Sequence, residues 1–573
     1  MRKIRKDWSD KRMNTSILLS HSRQARRHIV EMVAAAGSGH PGGSLSCTDV
    51  LTWLYDEEID LNDPMRDRLV LSKGHAAPAL YAQLAVHERI DPEELLTLRK
   101  LGSRLQGHPN MADLPDVDMS TGSLGQGLSV AVGMAWADRY LGRARRTWCV
   151  CGDGEFEEGQ IWEAVMAAAK YKLANLTLFL DENGLQIDGK VLDVGGMDDY
   201  AGALKAFGWN VLEIDGHDFG QIETAVACAK GSGMPSAIVC HTVKGKGVSY
   251  MENVAGWHGK ALAEAAARDP RIIALDADLA PATKTDETKK AVPAQFLQTG
   301  IAEANMVGIA AGLAVSGLKP FASSFAMFLA GRAYEQVRNS IAYPGLDVKL
   351  CATHAGITVG EDGGSHQCVE DIGLMRMLPG MMVLQPADSV EAAAMVRYLA
   401  GVPGPAYLRL SRAAVESVFD DAYEFVPGEL RQVRPGRSIA FVASGVMVRE
   451  CVDAAQRLES AGIDGAVYNL STIKPLNKAR LDEIVNAYDL VYVAEEHLKA
   501  GGIWSAVMET VDAPQKVKSI AIEDRFGQSG SVAALMEEYG LSAAAIENRV
   551  LEDQRASLAM GIEQIAMAGI RRA

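Results

Sequence analysis

No apolar run in these 573 residues reaches the ~18 residues that a membrane span needs. The basic start, MRKIRKDWSDKR, lacks the apolar core of a secretion signal and reads as a solvated arm or the lead-in to a first helix. Positive charge is also in short supply: Lys and Arg number 57 against 73 Asp and Glu, a net charge of −16. That balance argues against a nucleic-acid or anionic-membrane surface, while a local basic pocket for a small anion remains compatible with it. Cysteine gives no framework. The eight (Cys47, Cys149, Cys151, Cys228, Cys240, Cys351, Cys368, Cys451) are scattered, mostly within apolar runs, so they read as structural thiols suited to a reducing cytoplasm. What remains is a chain with 48% hydrophobic and 23% charged residues, the make-up of an ordinary soluble globular protein. Its length suggests three domains.

The stretch Gly152 to Gly189, GDGEFEEGQIWEAVMAAAKYKLANLTLFLDENGLQIDG, organises the rest. The apolar run Trp148 to Cys151 ends at Gly152-Asp153-Gly154. A helix is predicted over Ile161 to Leu173, and a second run, Leu176 to Leu180, ends at Asp181-Glu182-Asn183-Gly184. This is one βαβ crossover. Parallel neighbours finish on the same sheet edge, so Asp153 and Asn183 are expected side by side at the carboxyl ends, where open α/β sheets bind ligands. Two oxygen side chains suit a hard divalent cation completed by phosphate oxygens, and the glycines allow close backbone approach. Acidic turn chemistry alone would also place Asp and Gly there.

Glycine-rich loops recur before and after it. Gly37 to Gly43 contains His40 and precedes a predicted helix over Ser46 to Tyr55; Leu69 to His75 is a strand entering a glycine turn. Gly107-His108-Pro109, Thr121-Gly122-Ser123-Leu124-Gly125-Gln126-Gly127 and Gly256-Trp257-His258-Gly259 follow. One such histidine alone would be an ordinary structural residue. The four loops of this kind that precede Gly152 mark backbone brought up to a ligand.

Together these motifs resemble the transketolase family, and the resemblance spans the whole chain. It implies an α/β fold of three consecutive domains with mostly parallel sheets: a diphosphate domain over 1–259, a pyrimidine domain over 260–425 and a transketolase C-terminal domain over 426–573. It implies thiamine diphosphate and Mg²⁺ (or Ca²⁺ or Mn²⁺), with Asp153, Asn183 and the carbonyl of Leu185 on the metal. Gly122, Leu124, Gly154 and Asp278 are then cofactor contacts, and His40, His75, His108 and His258 surround the diphosphate and the reacting sugar carbons. Histidine suits proton transfer because its ordinary pKa lies near neutrality.

In the second domain Glu303 opens an apolar helix running to Val315, where the dipole favours a carboxylate. The resemblance makes it the group that bonds the cofactor's aminopyrimidine, and a carboxyl among apolar groups can share a proton with a ring nitrogen. Phe325 and Phe328, at helix spacing, ordinarily mean core packing; in the family they flank the pyrimidine. His354, Asp362 and His366 match the substrate loop. Arg412 matches the phosphate-binding arginine, a planar fork suited to bidentate contact. Glu158 and Glu163 match acidic residues that link two active sites across a homodimer interface, and a solvated helix start is their plain alternative. No dense polar loop is expected beyond 426.

The chain also departs from the family. Ser123 replaces a proline, Ala302 and Ala304 an arginine and a histidine, Gly331 a tyrosine and Ala282 a phosphate-gripping serine. The long connection before Ile272, with its arginine, is nearly absent, so the chain resembles the two halves of a split transketolase joined end to end. The implied reaction moves a two-carbon ketol unit from a ketose donor to an aldose acceptor through a thiamine-diphosphate carbanion, on substrates other than the standard pentose phosphates. Lys284, Lys289 and Lys290 could compensate for the lost grip or form a solvated run. A synthase of the 1-deoxyxylulose-5-phosphate type and a non-catalytic cofactor-binding homologue stand as alternatives.

Overall fold

The computed structural model describes residues 15–246, 261–420 and 422–570, with side chains through 556. The chain divides into two compact units, Met1–Ala255 and Gly256–Ala573. The expected boundary at 259/260 lies outside the described residues.

The first unit is built on β1 (Arg68–Leu71), β2 (Thr147–Gly152), β3 (Leu176–Glu182), β4 (Asn210–Asp215) and β5 (Ser236–His241), in the order β1-β2-β3-β5-β4. All its pairings are parallel. A sheet covered on both faces needs strands that are apolar throughout. Strand β2, TWCVCG, is buried along its full length: Trp148 and Val150 enter one core cluster, Cys149 and Cys151 the other. The expected buried strand with alternating thiols is therefore present. All eight cysteines are free, and Cys228 alone is exposed.

The crossover helix is Gly159–Lys170, burying Ile161, Ala164, Val165 and Ala168 at one-face spacing. The helix predicted from Ser46 to Tyr55 differs from what forms. Pro41 starts a turn of helix at Pro41–Ser46, because a missing N–H costs nothing at a first helical position. A second helix, Thr48–Trp53, then widens into a π-turn over Leu54–Glu58.

The second unit contains β6 (Ile272–Asp276), β7 (Phe296–Gln298), β8 (Lys319–Phe325), β9 (Lys349–Thr353), β10 (Met382–Leu384), β11 (Ala406–Arg409), β12 (Leu430–Arg434), β13 (Ile439–Ala443), β14 (Gly465–Leu470), β15 (Thr472–Lys474), β16 (Val491–Leu498) and β17 (Val517–Ile522). One sheet has the order β15-β10-β11-β9-β8-β6-β7 and the other β12-β14-β13-β16-β17. Only β15 and β12 run antiparallel to their neighbours. Strand β15 lies beyond 426 yet pairs with β10, and one apolar cluster holds Leu350 and Val383 together with Val442 and Val493. The middle and last sheets thus share a core. Among the described residues, no helix is long and apolar enough to cross a membrane.

Candidate active site

Strands β2 and β3 pair with Gly152 opposite Asp181, so the residues after them meet at one sheet edge, as the crossover predicts. Asp153 is buried; its Oδ1 accepts the Gly154 N–H at 2.9 Å and its Oδ2 the Gly184 N–H at 2.6 Å. Burial, reinforced by the nearby charge of Asp181, pushes its pKa up to about 7. The Asn183 Oδ1 accepts the Leu185 N–H at 3.3 Å, and the Leu185 carbonyl accepts the Lys244 Nζ at 3.1 Å. An ammonium therefore already sits on one of the expected ligand oxygens. Each carboxylate oxygen keeps lone pairs beyond its one backbone bond, so this all-oxygen set fits a hard divalent cation.

Beneath this edge is a buried ion pair that the sequence reading did not single out. Lys73 and Asp181 are joined directly, and Asp181 also accepts Ser46 Oγ at 2.6 Å and Thr242 Oγ1 at 2.5 Å. Burial opposes both charges, yet each raises or lowers the other's pKa in favour of ionisation: Lys73 is held above and Asp181 below its ordinary value. Glu155 ties three loops together, accepting Ser72 Oγ at 2.5 Å and the N–H groups of Gly125 at 2.9 Å and Gly152 at 3.1 Å.

Three of the expected histidines gather beside this edge. The His40 ring centroid lies 5.5 Å from that of His75 and 6.5 Å from that of His108. His75 is not poised near neutrality as expected: burial, then the charge of Lys73, pushes its pKa well below the imidazole range. Little room is left for a side chain beside the glycines. A Cβ on Gly43 would stand 2.8 Å from His75 Nε2, one on Gly74 2.5 Å from the Gly122 nitrogen, and one on Gly154 3.0 Å from Gln186 Oε1. Gly122 is buried and Leu124 half-buried in the same loop. Glu158 is buried at the start of the helix Gly159–Lys170, whereas Glu163 is exposed. His258 lies outside the described residues.

The second unit brings together the remaining candidates. Glu303 is buried at the start of the helix Glu303–Val315. Its surroundings are more polar than expected: Oε2 accepts Arg332 Nη1 at 2.8 Å and Oε1 accepts Ser324 Oγ at 3.3 Å. Phe325 and Phe328 stack at 5.9 Å, but not on one α-helix. Phe325 ends β8 and Phe328 lies in the π-turn Met327–Arg332, whose wider pitch brings Arg332 over the Phe328 ring at 4.9 Å. His354 stacks on Phe325 at 3.8 Å, and His366 meets Phe328 edge-on at 5.3 Å.

His354 is buried with φ +57, and its pKa falls to about 4 through burial and then the charge of Arg412, with Asp362 opposing and Lys284 adding to the fall. Arg412 Nη1 donates to the Val359 carbonyl at 2.6 Å and pairs with Glu361 at 3.0 Å. Asp278 is buried in the left-handed region at φ +60, its N–H on Gln298 Oε1 at 2.9 Å. Ala282 packs against Leu279, Phe325 and Phe328. Of the three lysines, Lys290 is paired with Asp286 and Glu287, Lys289 sits over Phe296, and the charge of Lys284 adds to the fall in the His354 pKa.

The region beyond 426 reaches this loop from a strand rather than from a polar loop. Glu496 of β16 accepts the Thr358 N–H at 2.6 Å and lies hard against Gly356. A buried carboxylate at a strand end adjoining Glu495 and His497 was the available signal.

Comparison with known proteins identifies the family. A family model described as "Transketolase, thiamine diphosphate binding domain" matches residues 20–280, "Transketolase, pyrimidine binding domain" residues 253–417, and "Transketolase, C-terminal domain" residues 428–546. The chain is 33% identical to the transketolase of Homo sapiens, over 91% of this chain and 95% of that protein. It is 31% identical to transketolase-like protein 2 of Mus musculus, over 94% and 98%. A "Putative transketolase C-terminal section" of Methanocaldococcus jannaschii is 39% identical over 52% of this chain and 95% of its own length. A solved structure described as "Split gene transketolase, inactive beta4 tetramer" is 42% identical over 51% of this chain and 95% of that one, with a TM-score of 0.48. With all three domain models matched in order along its length, the chain belongs to the transketolase family.

Proposed function

We propose that this protein is a thiamine-diphosphate-dependent transferase that moves a two-carbon ketol unit from a ketose to an aldose. The observation that carries the reading is the gathering of His40, His75 and His108 at 5.5 and 6.5 Å beside an oxygen-donor edge formed by Asp153, Asn183 and Leu185. A protein that only bound cofactor would need the second group and not the first. When bound, thiamine diphosphate supplies the electron sink for carbanion chemistry. Asp153, Asn183 and the Leu185 carbonyl would hold Mg²⁺ on its diphosphate. Glu303, kept in place by Arg332 and Ser324, would bond the aminopyrimidine nitrogen and hold its proton. Phe325 and Phe328 would pack its ring, and His354, Asp362 and His366 would orient sugar hydroxyls.

As in the family, the working unit would be a homodimer with active sites at the subunit interface. Glu158 and Glu163 would lie at that contact. Free, mostly buried thiols support a reducing compartment such as the cytoplasm.

The substrate is proposed to differ from ordinary pentose phosphates. Ala282 offers no hydroxyl, and Arg412 is already partly neutralised by Glu361 at 3.0 Å. A coupled assay with thiamine diphosphate and Mg²⁺ would compare xylulose 5-phosphate with L-erythrulose and hydroxypyruvate as donors, and ribose 5-phosphate with unphosphorylated aldoses as acceptors. Turnover with several pairs, best with those lacking a phosphate, is the expected result. Tight turnover of phosphorylated pairs would overturn the substrate claim, and no turnover with any pair despite bound cofactor would overturn the enzyme claim.

A further inference from the structure

In the first unit, three helical elements bring His21, Asp56 and His87 together. His21 comes from the helix Thr15–Ala36, Asp56 from the π-turn Leu54–Glu58, and His87 caps the helix Ala77–Val86. The His21 Nδ1 lies 2.8 and 3.0 Å from the two Asp56 carboxylate oxygens. The His87 Nε2 lies 3.8 Å from Asp56 Oδ1 and is buried without a hydrogen-bond partner. One ligand atom from each of the three residues falls within 4.8 Å of the others.

We propose that His21, Asp56 and His87 form a binding site for a divalent transition-metal ion, with Zn²⁺ the best fit, separate from the oxygen-donor edge at Asp153. Two imidazole nitrogens and a carboxylate oxygen are a borderline donor set, which selects zinc-like ions over Mg²⁺ or Ca²⁺. Zinc bonds of ~2.0–2.2 Å place neighbouring tetrahedral ligands about 3.3 Å apart, a spacing bracketed by the 2.8 and 3.8 Å separations at Asp56. A hydrogen bond from His21 to Asp56 would account for those two residues alone. It leaves the buried His87 Nε2 unmatched, an arrangement that carries a desolvation cost, and an ion between the three satisfies it. The His21 side chain is 30% exposed, so a water molecule can complete the fourth position, as in sites with three protein ligands. Insertion of a π-turn at the Asp56 position fits a local distortion kept for a ligand.

The test uses the full-length protein stripped with a chelator, then titrated with Co²⁺ in the presence of excess Mg²⁺, added to compete at the oxygen-donor edge. Ligand-field absorption of four-coordinate Co²⁺, saturating at one ion per chain and displaced by Zn²⁺, is expected. His87→Gln and His21→Gln should each weaken binding by more than the ~10–100-fold typical of losing an outer-shell partner, with the transferase activity of the chain unchanged. Because His21 is partly exposed, His21→Gln serves if His87→Gln does not fold. An absent four-coordinate band in the unsubstituted protein, or a band that both variants retain undiminished, would show a hydrogen-bonded packing cluster and overturn the site.

Discussion

Arg332 grips Glu303: its Nη1 lies 2.8 Å from the buried carboxylate, and its guanidinium covers the Phe328 ring at 4.9 Å. One residue thus positions both the proposed proton-holding group and part of the wall beside it. Removing one partner of a buried pair leaves an uncompensated charge and costs about 3–5 kcal/mol. Glu303→Gln should lower kcat by ~10²–10⁴-fold, the range for a proton-transfer group. Arg332→Met should lower it by a comparable factor and weaken cofactor binding, while the double variant should be little worse than either single one, because residues that act as a unit are not additive. Steady-state kinetics and cofactor titration of the three variants decide this. Full additivity would separate the two roles.

A second expectation concerns stability and pH. Burial pushes Glu495 up to about 8 and Glu496 up to about 7, and pushes His497 down to about 4. Arg409 and Asp371, a buried ion pair at 2.8 Å, share the cluster. A carboxyl whose folded pKa is raised contributes stability that is complete below the unfolded value of ~4.3 and is lost as pH rises through the folded one. The depressed histidine acts oppositely, but its effect is complete above ~6.5. Between pH 6.5 and 8, then, the two glutamates act together with Asp153, whose pKa burial also raises to about 7, and the Tm should fall by several degrees. The double variant Glu495→Gln, Glu496→Gln should show a clearly shallower fall over that window in scanning calorimetry, with the remainder due to Asp153. An equal slope in both proteins would reject the assignment.

The sheets and the site edge were legible because they rest on local pattern. A run such as TWCVCG can only be buried on both faces, and GDG ending one parallel strand must stand beside ENG ending the next. The partners that fix the site were not legible. Lys73 lies 108 residues from Asp181 and Arg332 lies 29 from Glu303, and no sequence period reports which charge will meet which. Glu496 reaches Thr358 across 138 residues. The spacing of Phe325 and Phe328 suggested one helix face because a strand end followed by a π-turn imitates it. The expectation that every site histidine titrates near neutrality ignored burial and Lys73.

Close packing around His75 yields a third prediction. Gly43→Ala would set a methyl 2.8 Å from His75 Nε2, displacing the imidazole by a few tenths of an ångström or more. Positioning errors of that order are costly to catalysis, so kcat/KM should drop at least ~10-fold while the Tm changes little. Gly133→Ala is the control. It lies in the helix Gly127–Tyr140 with open space around it, and should raise stability by ~0.5–1 kcal/mol with activity intact.

Lys284 is the residue through which substrate charge can be read. It ends the short helix Ala280–Thr283 in a left-handed conformation, φ +72, and its charge contributes to lowering the His354 pKa. If Lys284 carries the anionic end of a sugar in place of the missing serine hydroxyl, Lys284→Ala removes a charge-assisted contact of about 1.5–3 kcal/mol. KM for xylulose 5-phosphate should then rise ~10–100-fold with kcat nearly unchanged, the pattern of lost uniform binding, and KM for L-erythrulose should not move. Ala282→Ser should act in the opposite sense, lowering KM for the phosphorylated donor alone. Equal changes for both donors would place Lys284 in the support of His354 and leave Arg412, already shared with Glu361, as the anchor.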